Sequence, residues 1–175
     1  MQLLLIVDMQ NEFNNSAHTD GAVRKTLRWL NLKHIQNVVC TQYINTRYSP
    51  RKRITSYDGC KEFSAETAIV QDIRDFAGLV IQKSTLSAVT PDMVHMINAI
   101  QANTIYIAGL GTESCITATA FGLIDIGKRP IIIEDCCASP YGVENHNNAI
   151  SNLRNIMGDH NITNLGHLID SIRYA

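Results

Sequence analysis

The chain carries no excess of charge of either sign. Fifteen Lys and Arg stand against sixteen Asp and Glu, a formal net charge of −1. No broad field therefore argues for nucleic acid or an anionic membrane as a partner. Long apolar runs are also missing. The run near the amino terminus, Leu3 to Val7, is too short to span a bilayer and has no basic lead-in, so it reads as neither a membrane span nor a signal peptide. A disulfide framework is absent too. Five cysteines are an odd number without framework spacing, which favours reduced thiols and a cytoplasmic location. In such a compartment the two Asn-x-Ser/Thr sequons, at Asn14 and Asn161, carry no meaning. The six histidines, His18, His34, His95, His146, His160 and His167, show no convergent ligand spacing. Neither a metal nor an organic cofactor is expected. There is no internal repeat, low-complexity segment or linker, and a chain of 175 residues fits one domain, residues 1–175, with length enough to bury a sizeable core.

What is present is an alternation of strand-like and helix-like segments. After the run to Val7, Val23, Leu27 and Leu30 repeat at helical spacing. Val38 to Thr41 reads as a second strand, followed by an irregular polar stretch from Tyr43 to about Ser64. Ile69, Ile73 and Phe76 mark a second helix, and Leu79 to Gln82 a third strand. Thr90-Pro91-Asp92 is a helix start, with a capping Thr, Pro at the first helical position and an early acid. Met93, Ile97 and Ile100 give that helix its buried stripe. Ile105 to Ala108 is a fourth strand; Ile116, Ala120 and Leu123 carry the next helix; Ile131 to Ile133 is a fifth strand. Ala149, Leu153 and Ile156 form the last long stripe, before a short edge strand near Ile162 to Leu165 and a terminal helix. This alternation predicts an α/β fold with a parallel sheet covered on both faces.

Three polar residues sit where apolar runs end. Asp8 closes Leu3 to Val7, Lys83 closes Leu79 to Gln82, and Cys115 follows the fourth strand after a Gly-rich turn. If these runs are parallel strands, a carboxylate, an ammonium and a thiol meet at the carboxyl edge of one sheet, where open α/β sheets place their sites. Together they suit covalent hydrolysis of an acyl compound. Each residue also has a plainer reading. Asp8 can cap a turn, Lys83 can be ion-paired, and Cys115 is either a nucleophile at a helix N-terminus, where a thiolate is favoured, or a small buried hydrophobe.

The segments Ile6-Val7-Asp8-Met9-Gln10-Asn11-Glu12-Phe13, Lys83-Ser84-Thr85-Leu86-Ser87-Ala88, Ala108-Gly109-Leu110-Gly111-Thr112-Glu113-Ser114-Cys115 and Glu134-Asp135-Cys136-Cys137-Ala138-Ser139 resemble, in order and spacing, the isochorismatase-like cysteine hydrolases. That superfamily includes nicotinamidases, N-carbamoylsarcosine amidases and ureidoacrylate amidohydrolases. The resemblance implies a Rossmann-like three-layer sandwich with a six-stranded parallel sheet of order 3-2-1-4-5-6. It also implies Asp8, Lys83 and Cys115 as a catalytic triad, and a homo-oligomer, dimer or tetramer. On this reading Asp8 takes the thiol proton and Lys83 orients Asp8 and helps hold the thiolate. Cys115 attacks a carbonyl, and the Gly111 and Cys115 N–H groups form the oxyanion hole. The family also implies a cis bond between Leu110 and Gly111, which would aim the Gly111 N–H into the cleft, and a pocket position for Phe13.

The expected function is hydrolysis of the C–N bond of a small amide or ureido compound through a Cys115 thioester. Two alternatives stay open: the vinyl ether hydrolysis of isochorismatases, which does not need the thiol, and an idle interaction scaffold on the same fold. The Asp-x-His metal site of nicotinamidases has no counterpart in Thr41 to Pro50, so metal dependence is not expected. His146 matches a recurrent family histidine and reads as structural. Arg47 to Arg53 is basic and reads as a solvated loop or a lip for an acidic substrate. Arg47 is its best carboxylate contact, because a guanidinium fork matches two oxygens. Cys136 and Cys137 follow the fifth strand and read as buried packing or a redox pair, Cys40 as core, and Cys60 as a thiol that could be exposed. The loops Asn14–Asp20, Tyr43–Ser64 and Tyr141–Asn145 have no readable periodicity, so the substrate's identity is not in the pattern.

Overall fold

Five consecutive residues, Leu3 to Val7, are wholly shielded from solvent. A strand with no solvated face must be covered on both sides, the condition of a central parallel strand. In the computed structural model, which describes residues 1–173, this strand, β1 (Gln2–Val7), lies between β2 (Val38–Tyr43) and β4 (Thr104–Leu110). With β3 (Leu79–Lys83), β5 (Arg129–Ala138) and β6 (Ile162–Thr163) it forms a six-stranded sheet of order β3-β2-β1-β4-β5-β6. Every pairing is parallel. The expected order is the observed one.

The two-residue period of β1 divides the core. Leu3, Leu5 and Val7 pack with Met93 and Ile97 of α4 (Pro91–Ala99), Ala120 and Leu123 of α5 (Thr117–Asp125), and Leu153 of α6 (Val143–Met157). Leu4 and Ile6 pack on the opposite face, with Val23, Trp29 and Leu30 of α1 (Ala17–Asn31), Ile73 of α3 (Gln71–Arg74), and Leu165 of α7 (Leu165–Arg173). Helix starts follow local chemistry. Ser16 and Thr19 form a reciprocal capping box on α1. Thr90 accepts from the Met93 N–H ahead of α4, with Pro91 in its first turn. Among the described residues no helix is long and apolar enough to cross a membrane.

Several boundaries differ from the periodic reading. The helix expected around Ile69 to Phe76 is a single turn, α3, because the chain must return to Gly78, whose N–H bonds the Val38 carbonyl to start β3. The stretch from Tyr43 to Ser64 is not wholly irregular. It contains α2 (Pro50–Thr55) and a bridge between Asn45 and Lys61. Strand β5 extends through Cys136 and Cys137, so both lie inside the strand and are buried. Cys60, a thiol that could have been exposed, is also fully buried, within the core cluster on the α1 face. On α6 the last buried position is Met157, whereas Ile156 is exposed. Position 157 repeats Ala149 and Leu153 at steps of four, on one helical face.

Sheet order reverses between β1 and β4, so their carboxyl ends open a crevice at the topological switch point. At this edge Gly109 has φ +151°, and a Cβ there would stand 2.2 Å from the Val7 carbonyl oxygen. Only glycine allows β4 to lie so close against the end of β1.

Candidate active site

Asp8 is the first residue beyond β1 and adopts φ +49°. That left-handed backbone is uncommon outside glycine, and aspartate is among the side chains that tolerate it. The turn carries its carboxylate into the crevice, wholly buried. Thr41 near the end of β2 holds the residue twice. Its hydroxyl donates to Asp8 Oδ1 at 2.6 Å and accepts from the Asp8 N–H at 3.1 Å. Gln10 pins the segment that follows. It donates to the Tyr43 and Thr67 carbonyls at 2.9 and 2.8 Å and accepts from the Tyr43 N–H at 2.7 Å.

Lys83 ends β3, and its side chain is also shielded from solvent. Its ammonium donates to Asp8 Oδ2 at 2.6 Å, to the Thr85 carbonyl at 2.9 Å and to the Leu86 carbonyl at 3.2 Å. An ammonium has three donors, so Lys83 has none left for another molecule. It fixes Asp8 and balances its charge in a region where an unpaired ion would be costly.

Cys115 lies beyond β4 in a π-helical turn, Thr112–Ile116, which precedes α5. Gly111, at φ +85°, starts this turn. Thr112 is tied to His146 of α6 at 2.9 Å. Thr119 donates to the Cys115 carbonyl at 2.6 Å and accepts from the Ala88 N–H at 2.9 Å, joining the nucleophile's turn to the loop that follows Lys83. The Asp8 carboxylate lies within interaction range of the thiol. Burial first, and the Asp8 charge second, push the thiol up to about 12, against the opposing pull of Lys83 and Arg51. Burial thus favours the neutral thiol here, against the thiolate that a helix N-terminus would favour. The π-helical turn separates Cys115 from the first turn of α5, and burial outweighs both nearby cations.

Cys115 faces a narrow cavity of about 10 Å³ with Phe13, Arg51, Leu110, Gly111, Ser114, Pro140 and Tyr141. A wider and more open cleft of about 380 Å³ between α1 and α6 includes His18, Lys25, Asp135 and His146. Its sulfur, Cys137, is 2% exposed and bonded to the Ile107 carbonyl. Asp8 and Lys83 lie near the sulfur of Cys115, so the smaller cavity is the chemical one. Among the described residues no group of three or more His, Cys, Asp and Glu side chains is placed to hold a metal ion.

Asp8, Lys83 and Cys115 therefore converge at one edge, and Phe13 lines the cavity. Three expectations do not hold. No peptide bond among the described residues is cis, so Leu110–Gly111 is trans. The left-handed φ of Gly111 makes the turn instead. The Gly111 N–H donates to the Ala138 carbonyl of β5 at 2.8 Å, so it is taken up by the sheet and not aimed at the sulfur. Arg47 does not reach the cavity. It is exposed and stacks on Tyr48, 4.5 Å from the ring centroid. The guanidinium at the cavity belongs to Arg51, four residues further on in the first turn of α2. Arg51, Thr41 and Gln10 are the residues that sequence reasoning missed. The basic run around Arg51 pointed to the right segment. Thr41 and Gln10 gave only the weak signal of a polar side chain beside an apolar run.

The chain matches the isochorismatase domain model over residues 2–163. No curated protein matches it by sequence. Solved structures share the fold at low identity. An isochorismatase-like hydrolase from Alkaliphilus metalliredigens superposes with TM-score 0.84 at 15% identity, covering 97% of this chain and 98% of that one. N-carbamoylsarcosine amidase from Thermoplasma acidophilum gives 0.75 at 23%, covering 93% and 94%. A pyrazinamidase/nicotinamidase from Streptococcus mutans gives 0.77 at 15%, covering 90% and 98%. With the family model spanning nearly the whole sheet, from β1 to β6, the chain belongs to the isochorismatase family.

Proposed function

We propose that this protein is a thiol-dependent hydrolase that cleaves the C–N bond of a small amide or ureido compound. The observation that carries the reading is the buried Cys115–Asp8–Lys83 group, in which the thiol lies beside a carboxylate that an ammonium holds at 2.6 Å. Amidases among the solved structures of the same fold add support.

The thiol proton passes to Asp8 as sulfur attacks the carbonyl carbon. A thiol pushed up to about 12 makes this transfer part of the attack rather than a prior ionisation, and a base beside the sulfur suits it. The C–N bond then breaks, and Asp8 returns the proton to the departing nitrogen, leaving a thioester. Water enters, gives a proton to Asp8 and attacks the thioester. The proton returns to sulfur as the acid leaves. One carboxyl group serves both half-reactions, and Lys83 keeps it oriented without touching substrate. The Cys115 N–H is the oxyanion donor we assign, and such a donor is worth about 3–4 kcal/mol.

The test is an ammonia-release screen over small carboxamides and ureido acids, followed by intact-mass analysis of the quenched reaction. The expected result is turnover with an acyl adduct mapped to Cys115, and neither in Cys115→Ala. Turnover that survives Cys115→Ala would overturn the thiol mechanism. No turnover on any member of either class would overturn the substrate class.

A further inference from the structure

We propose that Arg51 is a specificity residue that binds a carboxylate of the substrate, so that the compounds hydrolysed are short amido or ureido acids. This rests on the hydrolase reading above and narrows it.

The cavity at Cys115 is walled mostly by apolar groups, Phe13, Leu110, Pro140 and Tyr141. Two cations lie near the thiol, Lys83 and Arg51. Lys83 is wholly buried, and its three donors are occupied by Asp8 and two carbonyls. Arg51 differs on each count. It lines the cavity, is only partly buried, and has no ion-pair partner among the described residues. Its neighbour Lys52, by contrast, is paired with Asp58 at 2.8 Å. A cation left unneutralised beside an apolar cavity is unusual, because burial disfavours charge without a partner.

Position is as telling as charge. The Arg51 guanidinium lies 3.8 Å from the centroid of the Tyr57 ring and 5.9 Å from that of Tyr43. Stacking restrains the plane of the group and leaves its N–H edges free, and those edges match the two oxygens of a carboxylate. Arg51 is carried on α2, while Tyr57 and Tyr43 come from the flanking chain, so the orientation is built by tertiary contacts. Arg51 and Cys115 line the same narrow cavity, which sets the carboxylate only a few bonds from the scissile carbonyl.

The experiment compares matched probes that differ in the acid alone: N-carbamoylglycine against propylurea, and succinamate against butyramide. Kinetic constants are measured on the wild type, Arg51→Gln and Arg51→Lys. Because Arg51 also bears on the Cys115 thiol, the readout is the acid-to-neutral ratio of kcat/KM, in which any common effect on sulfur cancels. The wild type should prefer the acids. Arg51→Gln should lower the ratio by about 10- to 100-fold, mainly through KM, the range of a charge-assisted hydrogen bond. Arg51→Lys should recover part of it, since charge remains and the fork is lost. A wild-type ratio near one, or an Arg51→Gln loss equal on acids and neutrals, would overturn the assignment.

If none of the four compounds is hydrolysed, the hydrolase reading fails on them, and calorimetric titration of Cys115→Ala protein still decides this proposal. Binding of N-carbamoylglycine or succinamate that is lost in Cys115→Ala/Arg51→Gln supports it. Absence of binding, or equal binding of the neutral probes, refutes it.

Discussion

Replacing Lys83 by Met removes one charge from a pair whose two side chains are wholly shielded from solvent. The geometry sets the scale. At 2.6 Å and an effective dielectric of about 20, two unit charges attract by about 6 kcal/mol. Desolvation of both ions offsets much of that when the pair forms. Removing only one partner leaves the other buried and uncompensated, at a typical cost of about 3–5 kcal/mol. Lys83→Met also strips the Thr85 and Leu86 carbonyls of their donor, adding about 1 kcal/mol for each that stays shielded. A loss of about 4–6 kcal/mol is therefore expected, or roughly 10–20 °C in Tm for a domain of this size. Asp8→Asn should cost less, because the amide oxygen still accepts from the ammonium. The double variant Asp8→Asn/Lys83→Met should be well short of the sum, with a coupling of about 2–4 kcal/mol. Urea unfolding of the four proteins at neutral pH closes the cycle. A coupling under about 1 kcal/mol, the worth of an exposed pair, would refute the description of Asp8 and Lys83 as a water-excluded unit.

Other consequences are open to simpler measurements. Because burial and Asp8 hold the Cys115 thiol up at about 12, its alkylation by iodoacetamide should quicken by about tenfold per pH unit between pH 6 and 9. Cys115 should still be labelled before the other four cysteines, since it faces the cavity; a plateau near neutrality would mean a thiolate is already formed. Burial, and then the facing His18, lower His146 to about 4. As pH falls from about 6.5 towards 4, the unfolded chain binds a proton that the folded chain refuses, so stability should decline across that window. His146→Gln should flatten the decline, and an unchanged slope would place it elsewhere. Gly109→Ala would set a Cβ 2.2 Å from the Val7 carbonyl oxygen at a left-handed φ, so thermal unfolding should show a loss above about 3 kcal/mol. A near-native Tm would mean that β1 and β4 are less closely apposed. Activity on any amide turned over should survive EDTA or phenanthroline; loss restored by added Zn²⁺ or Fe²⁺ would overturn the metal-free mechanism.

The amino-acid sequence by itself determined the layered α/β plan and the edge at which the chemistry lies. Both follow from local information. An unbroken apolar run of five residues can only be a buried strand or a buried helical segment, and a polar residue closing it stands where the chain leaves the sheet. Hence Asp8 and Lys83 could be placed by spacing alone, as could the Thr90 cap, which needs only residues three apart. Tertiary structure decided the remainder, because each undecided property is a sum over distant segments. Whether Cys115 rests as thiol or thiolate depends on burial by both layers and on charges carried at the ends of β1 and β3 and on α2. The direction of the Gly111 N–H is set by a carbonyl of β5, twenty-seven positions away in sequence at Ala138. The cation that faces the cavity is Arg51 and not Arg47 because a short helix and the ring of Tyr57 orient it, and the stretch that carries all three has no periodicity to read. Strand order and register close these distances, and until they close, a basic segment has charge but no direction.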